Sequence, residues 1–361
     1  MGNASNALKD FLWSFKKNRK AQITLLVIVI LILIVAVVLV SFSFFQRSED
    51  TDSHSQLVNT DNGQEELYRR YFDGKYVSLD KVNPYPIAVM VENLVNVRPQ
   101  SGLSGAGVVY EALAEGGITR FMLIYPGAIA QAEIGPVRSA RPYFVDFADE
   151  YQALYAHAGG SPQALSKIPS TDIYSINQIG GYHGYYWRDI TKSAPHNLFT
   201  SSELLARAMR DLGLETNEDF RPWKFKDDES DPVVSISSIN IDYSTYSYEV
   251  EWRYDLNANL YVRYNGGEKQ IDKNNDQDIS AKNILIQKTQ TGILDESARL
   301  DITTTGSGEA ILFQDGGQID GTWRKDGERT IFFDNAGDEI RLNSGQTWVE
   351  IVKTNTPITV N

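Results

Sequence analysis

The 361-residue chain has no cysteine. This excludes disulfides, thiolate catalysis and Cys-ligated zinc or iron–sulfur centres, so the fold depends on its core alone. Histidine is scarce, four in all, and no pair has the His-x-x-x-His spacing of a helical metal site. No metal is therefore expected. The chain also lacks a Gly-x-Ser-x-Gly elbow, a P-loop and a dinucleotide fingerprint, and no cofactor is expected. Cationic residues are outnumbered, giving a net charge of −13. That balance argues against nucleic acid, whose phosphates need a cationic face. It argues less against anionic wall polymers, because local basic patches persist in acidic proteins.

One long apolar run stands out among what is present. Ile23–Phe45 (ITLLVIVILILIVAVVLVSFSFF) holds no charge, Gly or Pro. At 1.5 Å per residue it can cross a hydrocarbon core of about 30 Å. Lys9, Lys16, Lys17, Arg19 and Lys20 precede it, opposed only by Asp10. The positive-inside bias then predicts a single-pass membrane protein, N-terminus cytoplasmic and bulk extracytoplasmic. The run is too long for a signal-peptide core and ends in bulky Phe42, Phe44 and Phe45. The expected organisation is a cytoplasmic basic stub (1–22), a transmembrane helix (23–45) and an extracytoplasmic stalk (46–74). A first outer domain (75–215), a connector (216–232) and a β-rich C-terminal domain (233–357) follow. The stalk reads as flexible over residues 46–66, which are polar apart from Leu57 and Val58.

In the first outer domain, Ile87–Val91, Thr119–Tyr125 and Ala153–His157 read as short buried strands. Val108–Ala114 reads as a helix stopped by Gly116-Gly117, and Pro136–Ala140 as a helix start. The clearest helix lies near 201–213, where Thr200 and Glu203 form a capping box. Strands interleaved with short helices predict an α+β or α/β layered domain. Beyond residue 233 nearly every segment is a strand. Tyr246, Tyr248, Val250, Trp252 and Tyr254 alternate with Ser247, Glu249, Glu251 and Arg253, the period of a half-buried strand. Leu260, Val262 and Tyr264 are expected to face inward in the same way, against Tyr261 and Arg263. An all-β antiparallel C-terminal domain is the natural reading.

Candidate chemistry gathers at the turns of the first outer domain. Glu92 and Asn93 end a buried strand, with Arg98 shortly after. Glu111 and Glu115 sit four apart on the expected helix, and Arg120 opens the next strand. Arg138 and Arg141 lie about one turn apart. His157 ends a strand, Ser161 stands at a helix N-terminus after Gly159-Gly160, and His196-Asn197 follow Pro195. Guanidinium forks and free N–H groups suit a carboxylate or phosphate. Ser161 equally reads as a plain N-cap, and the glutamates and arginines as a structural ion-pair network. His157 and His196 are the acid–base candidates, with Glu92 or Glu111 as partner. Asn93, Arg98, Glu115, Arg120, Arg138, Arg141, Ser161 and Asn197 are the ligand-binding candidates. The aromatic strip 182–187 reads as a lid, an interface or core. Asp272–Asp278 resembles a calcium loop only superficially, since Gln277 and Asn283 replace its required Gly and Glu.

Three stretches carry a resemblance: NPYPIAVMVENLVNVRPQSGLSGAGVVYEALAEGGITRF, GPVRSARPYFVDFADEYQALYAHAGGSPQAL and SAPHNLFTS. With GTWRKDGERTIFFDNAGDEIRLNSGQTWVEIV in the second half, the chain resembles the DUF3048 (YerB-like) family over residues 80–355. The resemblance implies a bacterial cell-envelope protein in two parts with no established catalytic activity, usually lipid-anchored. This chain has no cysteine for a lipid, so a transmembrane helix is expected to replace that anchor.

Two functions fit the residues. One is a non-enzymatic envelope module that binds a wall-derived, anionic or peptide ligand, or a membrane-bound envelope protein partner, through residues 83–200. The other is an extracytoplasmic hydrolase or transferase acting on a cell-wall substrate. The second requires a histidine and a carboxylate within hydrogen-bond reach beside a pocket.

Overall fold

The computed structural model describes residues 55–60, 63–127, 130–214, 221–229, 233–327 and 329–361. The expected membrane span corrects first. No helix among the described residues is long and apolar enough to cross a membrane, and 23–45 lies outside the described residues. The single-pass topology, the cytoplasmic N-terminus and insertion by one helix are therefore not carried further. The expectation of a flexible stalk also corrects in part. Ser55–Thr60 and Gly63–Arg69 pair as an antiparallel hairpin, and Tyr76–Val77 adds a third strand.

The frame is a ten-stranded mixed sheet built from both halves of the chain. Its order runs Arg329–Asp334, Gly317–Asp326, Gly306–Gln314, Asn283–Thr289, Thr347–Lys353, Val108–Leu113, Thr119–Pro126, Pro86–Glu92, Leu154–His157 and Tyr174–Asn177. The halves join where Thr347–Lys353 pairs in parallel with Val108–Leu113. The expected connector at 216–232 thus does not divide the sheet.

A second sheet, centred on Ser238–Asp242, Glu249–Asp255 and Leu260–Asn265, contributes to the core shared with one face of the first. Val89, Leu123, Ile286 and Trp348 from one sheet share that core with Ile241, Val250, Trp252 and Tyr261 from the other. The opposite face carries a second core, which includes the helix Pro142–Asp149.

Several local expectations change for stated reasons. Val108–Leu113 is a strand, not a helix, with all six residues buried. A strand covered on both faces loses its period-two signature and cannot be told from a short buried helix by pattern. Glu111 and Glu115 therefore do not share a helix face. Residues 136–140 are extended, bridging Val137 to Val91 and Ala140 to Gly160. The helix starts instead with Pro142 in its first turn. The later helix, Ser202–Leu212, is capped by Ser201, whose hydroxyl accepts from Leu204 N at 3.3 Å. Tyr246–Tyr248 forms a short turn, and the strand proper begins at Glu249.

Leu260–Asn265 carries the most instructive reversal. Tyr261, Arg263 and Asn265 are buried, whereas Leu260, Val262 and Tyr264 are only half-buried. A charged residue faces the core because a carboxylate waits there. Arg263 forms an ion pair with Glu111, and both side chains are fully buried. Its guanidinium carbon lies 4.6 Å from the Trp348 ring centroid and 5.5 Å from those of Phe121 and Trp252. Glu350 is the register partner of Glu111 on the adjacent strand and is equally buried. Tyr243 Oη and Trp252 Nε1 donate to its two oxygens at 2.8 and 2.9 Å.

One guanidinium beside two buried carboxylates leaves a proton to be held. Burial, followed by the Glu111 charge, pushes Glu350 up to about 8, with Arg263 working against the shift. The folded state then binds a proton that the unfolded chain releases near pH 4.5. Its contribution to stability is complete below pH 4.5 and is lost as pH rises towards about 8. Urea unfolding of Glu350→Gln across this window should show a flatter pH dependence than the wild type. Parallel curves would refute a proton held at Glu350.

Candidate functional site

Glu92 ends the strand Pro86–Glu92 and is buried. Its Oε2 lies 2.8 Å from His196 Nδ1, and its Oε1 lies 3.0 Å from Arg138 Nε. The Arg138 contact is an ion pair by distance, with the N–H not aligned along it. His196 is about one-third exposed and lines a cleft of about 560 Å³. Arg98, Lys192 and Lys273 line the same cleft, and Leu94, Val97 and Pro99 give it an apolar wall. A smaller cleft of about 240 Å³ shares Arg98 and Pro99 with it.

Each cation is set by its own local structure. Arg98 Nε donates to Asn93 Oδ1 at 3.0 Å, and its Nη1 to the Ser247 carbonyl at 2.9 Å. Burial and then the charge of Arg263 lower it to about 10. Lys192 and His196 sit on the loop 189–196, which Asn197 holds closed. The Asn197 amide donates to the carbonyls of Asp189 at 3.1 Å and Lys192 at 3.2 Å, while its oxygen accepts from Arg188 at 2.7 Å. Asp189 tightens the loop start by accepting from Thr191 N at 2.9 Å.

Lys273 comes from the β-rich half. Its turn is docked by Asp272, whose buried carboxylate accepts from Gly102 N at 3.1 Å and Ser104 N at 2.8 Å. Gly102 has φ 95°, and a Cβ there would stand 2.7 Å from the Tyr125 hydroxyl, so the approach requires glycine. The loop that resembled a calcium site is thus a turn whose first Asp binds backbone. Among the described residues no group of three metal-ligating side chains gathers.

The other expected residues are placed separately. Asn93 is wholly buried and donates to Thr119 Oγ1 at 2.7 Å, which places it behind the cleft. Arg141 binds Glu115 through two hydrogen bonds, Nε at 2.5 Å and Nη2 at 2.6 Å. Arg120 lies 3.9 Å from the same carboxylate and donates to the Ser139 carbonyl at 2.8 Å. Burial pushes Glu115 up, but the Arg141 bonds outweigh it and hold the carboxyl below its ordinary value. These three form an ion-pair network of their own, and Glu111 belongs to the core. Ser161 caps the helix Pro162–Lys167, accepting from Ala164 N at 3.2 Å.

His157 is apart from every one of these carboxylates. Its Nδ1 is 2.7 Å from the Gly159 carbonyl, and its Nε2 is 2.8 Å from Ser175 Oγ. Burial lowers it to about 4, against the bond to Gly159. It stays neutral and structural at neutral pH. The aromatic strip packs on the helix Ser202–Leu212, with Tyr185 Oη donating to Asp211 at 2.8 Å. Its last ring, Trp187, stacks on Phe199 at 6.0 Å. Lys192 and Lys273 escaped the sequence reading because neither has a local signal. A lysine in a polar loop reads as a solvated surface until the tertiary fold faces it towards another.

Comparisons with known proteins agree along most of the chain. The N-terminal domain of the family described as "Protein of unknown function (DUF3048)" matches residues 74–215, and its C-terminal domain matches 239–349. The chain is 33% identical over 269 residues to "Putative lipoprotein YerB" of Bacillus subtilis (strain 168), covering 74% of this chain and 81% of that one. The crystal structure of YerB protein from Bacillus subtilis superposes with a TM-score of 0.73 at 31% identity, covering 81% of this chain and 99% of that one.

Asn197→Ala should release the loop that carries Lys192 and His196. Losing the buried amide costs about 1–3 kcal/mol, mostly as local opening. Amide hydrogen exchange at Asp189, Lys192 and His196 should accelerate more than tenfold, while the sheet stays protected. Unchanged exchange in this loop would show that Asn197 does not hold it.

Proposed function

The chain belongs to the DUF3048 family, and from that premise we propose that it is a membrane-associated, extracytoplasmic cell-envelope protein that binds an anionic ligand. The name of its Bacillus subtilis relative as a lipoprotein supports the location. The cleft supports the binding. Arg98, Lys192 and Lys273 from three separate segments face one space of about 560 Å³ in an otherwise acidic protein. Such a concentration of cations is costly in self-repulsion unless an anion answers it. The ligand class is a wall-derived or peptide anion, with the apolar wall taking its uncharged part. Calorimetric titration of the full chain with citrate, inorganic phosphate and acidic wall peptides tests this. At least one should bind, and Lys192→Ala should weaken it about tenfold, the worth of one charge-assisted hydrogen bond. Absence of binding to all three, or indifference to Lys192→Ala, would overturn the reading.

The His196–Glu92 contact favours a second reading, an extracytoplasmic hydrolase or transferase acting on a wall substrate. A carboxylate 2.8 Å from Nδ1 orients the imidazole so that Nε2 can take a proton. Ser193 lines the same cleft and is the hydroxyl closest in sequence to such a base. Product release from isolated wall material should then fall at least a hundredfold in His196→Ala, the low end for a general base. Equal release by wild type and variant would eliminate this reading.

A further inference from the structure

The cations of the cleft differ in how fully the protein itself answers them. Lys273 Nζ is 2.9 Å from Glu133, and His196 is engaged by Glu92, whose other oxygen meets Arg138. Among the described residues, Arg98 donates only to neutral oxygens, those of Asn93 and Ser247, and Lys192 has no carboxylate within ion-pair distance. Arg98 and Lys192 are therefore the cations of this cleft that no carboxylate pairs directly, with Glu133 and Asp189 acting on Lys192 only from a distance. The lysines add a geometric constraint. Lys192 Nζ lies 4.7 Å and Lys273 Nζ 5.7 Å from the centroid of the same Phe199 ring. That ring is buried and stacked on Trp187, so the two ammonium groups are held near each other. Burial, and next the charge of Lys273, lower Lys192, with Glu133 and Asp189 working against the shift.

A carboxylate offers one charge and two acceptor oxygens to three cationic side chains. A phosphate monoester has a charge of about −1.5 to −2 at pH 7 and three acceptor oxygens. Lysine ammonium groups bind phosphate as point charges, and Arg98 adds its charge and the N–H groups that Asn93 and Ser247 leave unused. The cleft is also larger than a bare phosphate needs, and Leu94, Val97 and Pro99 wall its remaining space. We propose that Arg98, Lys192 and Lys273 form a phosphate subsite, which receives the phosphate group of a phosphate monoester whose organic part lies along Leu94, Val97 and Pro99. This inference rests on the anion-binding reading of the same cleft and names its ligand class.

The test titrates the full chain with four probes. They are glycerol 1-phosphate, inorganic phosphate, a soluble poly(glycerol phosphate) and the dicarboxylate succinate. Glycerol 1-phosphate should bind at least tenfold tighter than succinate, and Lys192→Ala should weaken it about tenfold. Lys192→Arg should restore most of the loss, which a merely structural role would not predict. Preferential binding of glycerol 1-phosphate supports the subsite; preferential binding of the polymer, whose diester phosphates each carry one charge and two free oxygens, would overturn it. Succinate binding as tightly as the phosphates, with the same sensitivity to Lys192→Ala, would overturn the phosphate inference and leave the anion cleft standing. If no probe binds, or Lys192→Ala changes none, both readings fall together.

Discussion

The structure turns on a single buried cation. Arg263 reaches from the second sheet to Glu111 in the first, at the line where the two halves of the chain meet. Charges removed from water need partners, and removing one member of such a pair typically costs about 3–5 kcal/mol. The Glu350 carboxyl beside it is satisfied differently, by the Tyr243 and Trp252 donors and by a retained proton. Three aromatic rings surround the guanidinium and keep water out. A misregistered pairing of Thr347–Lys353 with Val108–Leu113 would separate the carboxylates from Arg263. The cluster therefore selects one register as well as one packing.

The same cluster is joined to the cleft by a chain of hydrogen bonds. Arg263 donates to Gln270, whose amide donates to Gln100 Oε1 at 3.0 Å. Gln100 in turn donates to Asn93 Oδ1 at 2.8 Å, which also accepts from Arg98. All the side chains between Arg263 and Arg98 are buried. Arg98 is thus held on a buried polar chain of hydrogen bonds that runs from the core. Lys192 and His196 are held by Asn197, and Lys273 by the docking of Asp272. Three independent supports bring the cations to one place.

How much of this was legible in the sequence depends on whether a feature is local. The β-rich character after residue 233, the helix near 201–213 and the place of Glu92, Arg98, Arg138 and His196 at strand ends and turns all follow from local pattern and punctuation. Val108–Leu113 was misread because burial on both faces erases the alternation that marks a strand. Leu260–Asn265 was misread because its inward charge makes sense only beside Glu111, about 150 positions away in the chain. The residues of the cleft that were missed, Lys192 and Lys273, are ordinary solvated lysines by every local criterion.

The sequence by itself determined what short-range physics can encode. That includes the lack of disulfides, the strand-rich composition, the turns, the caps and the family to which the chain belongs. It also marked the polar groups at strand ends, where framework meets solvent. Only the tertiary structure decided that strands from both halves share one sheet, that Arg263 is a core residue, and that Lys192, Lys273 and Arg98 face one cleft. Those outcomes depend on contacts between distant segments, and no window of the chain contains both partners of such a contact.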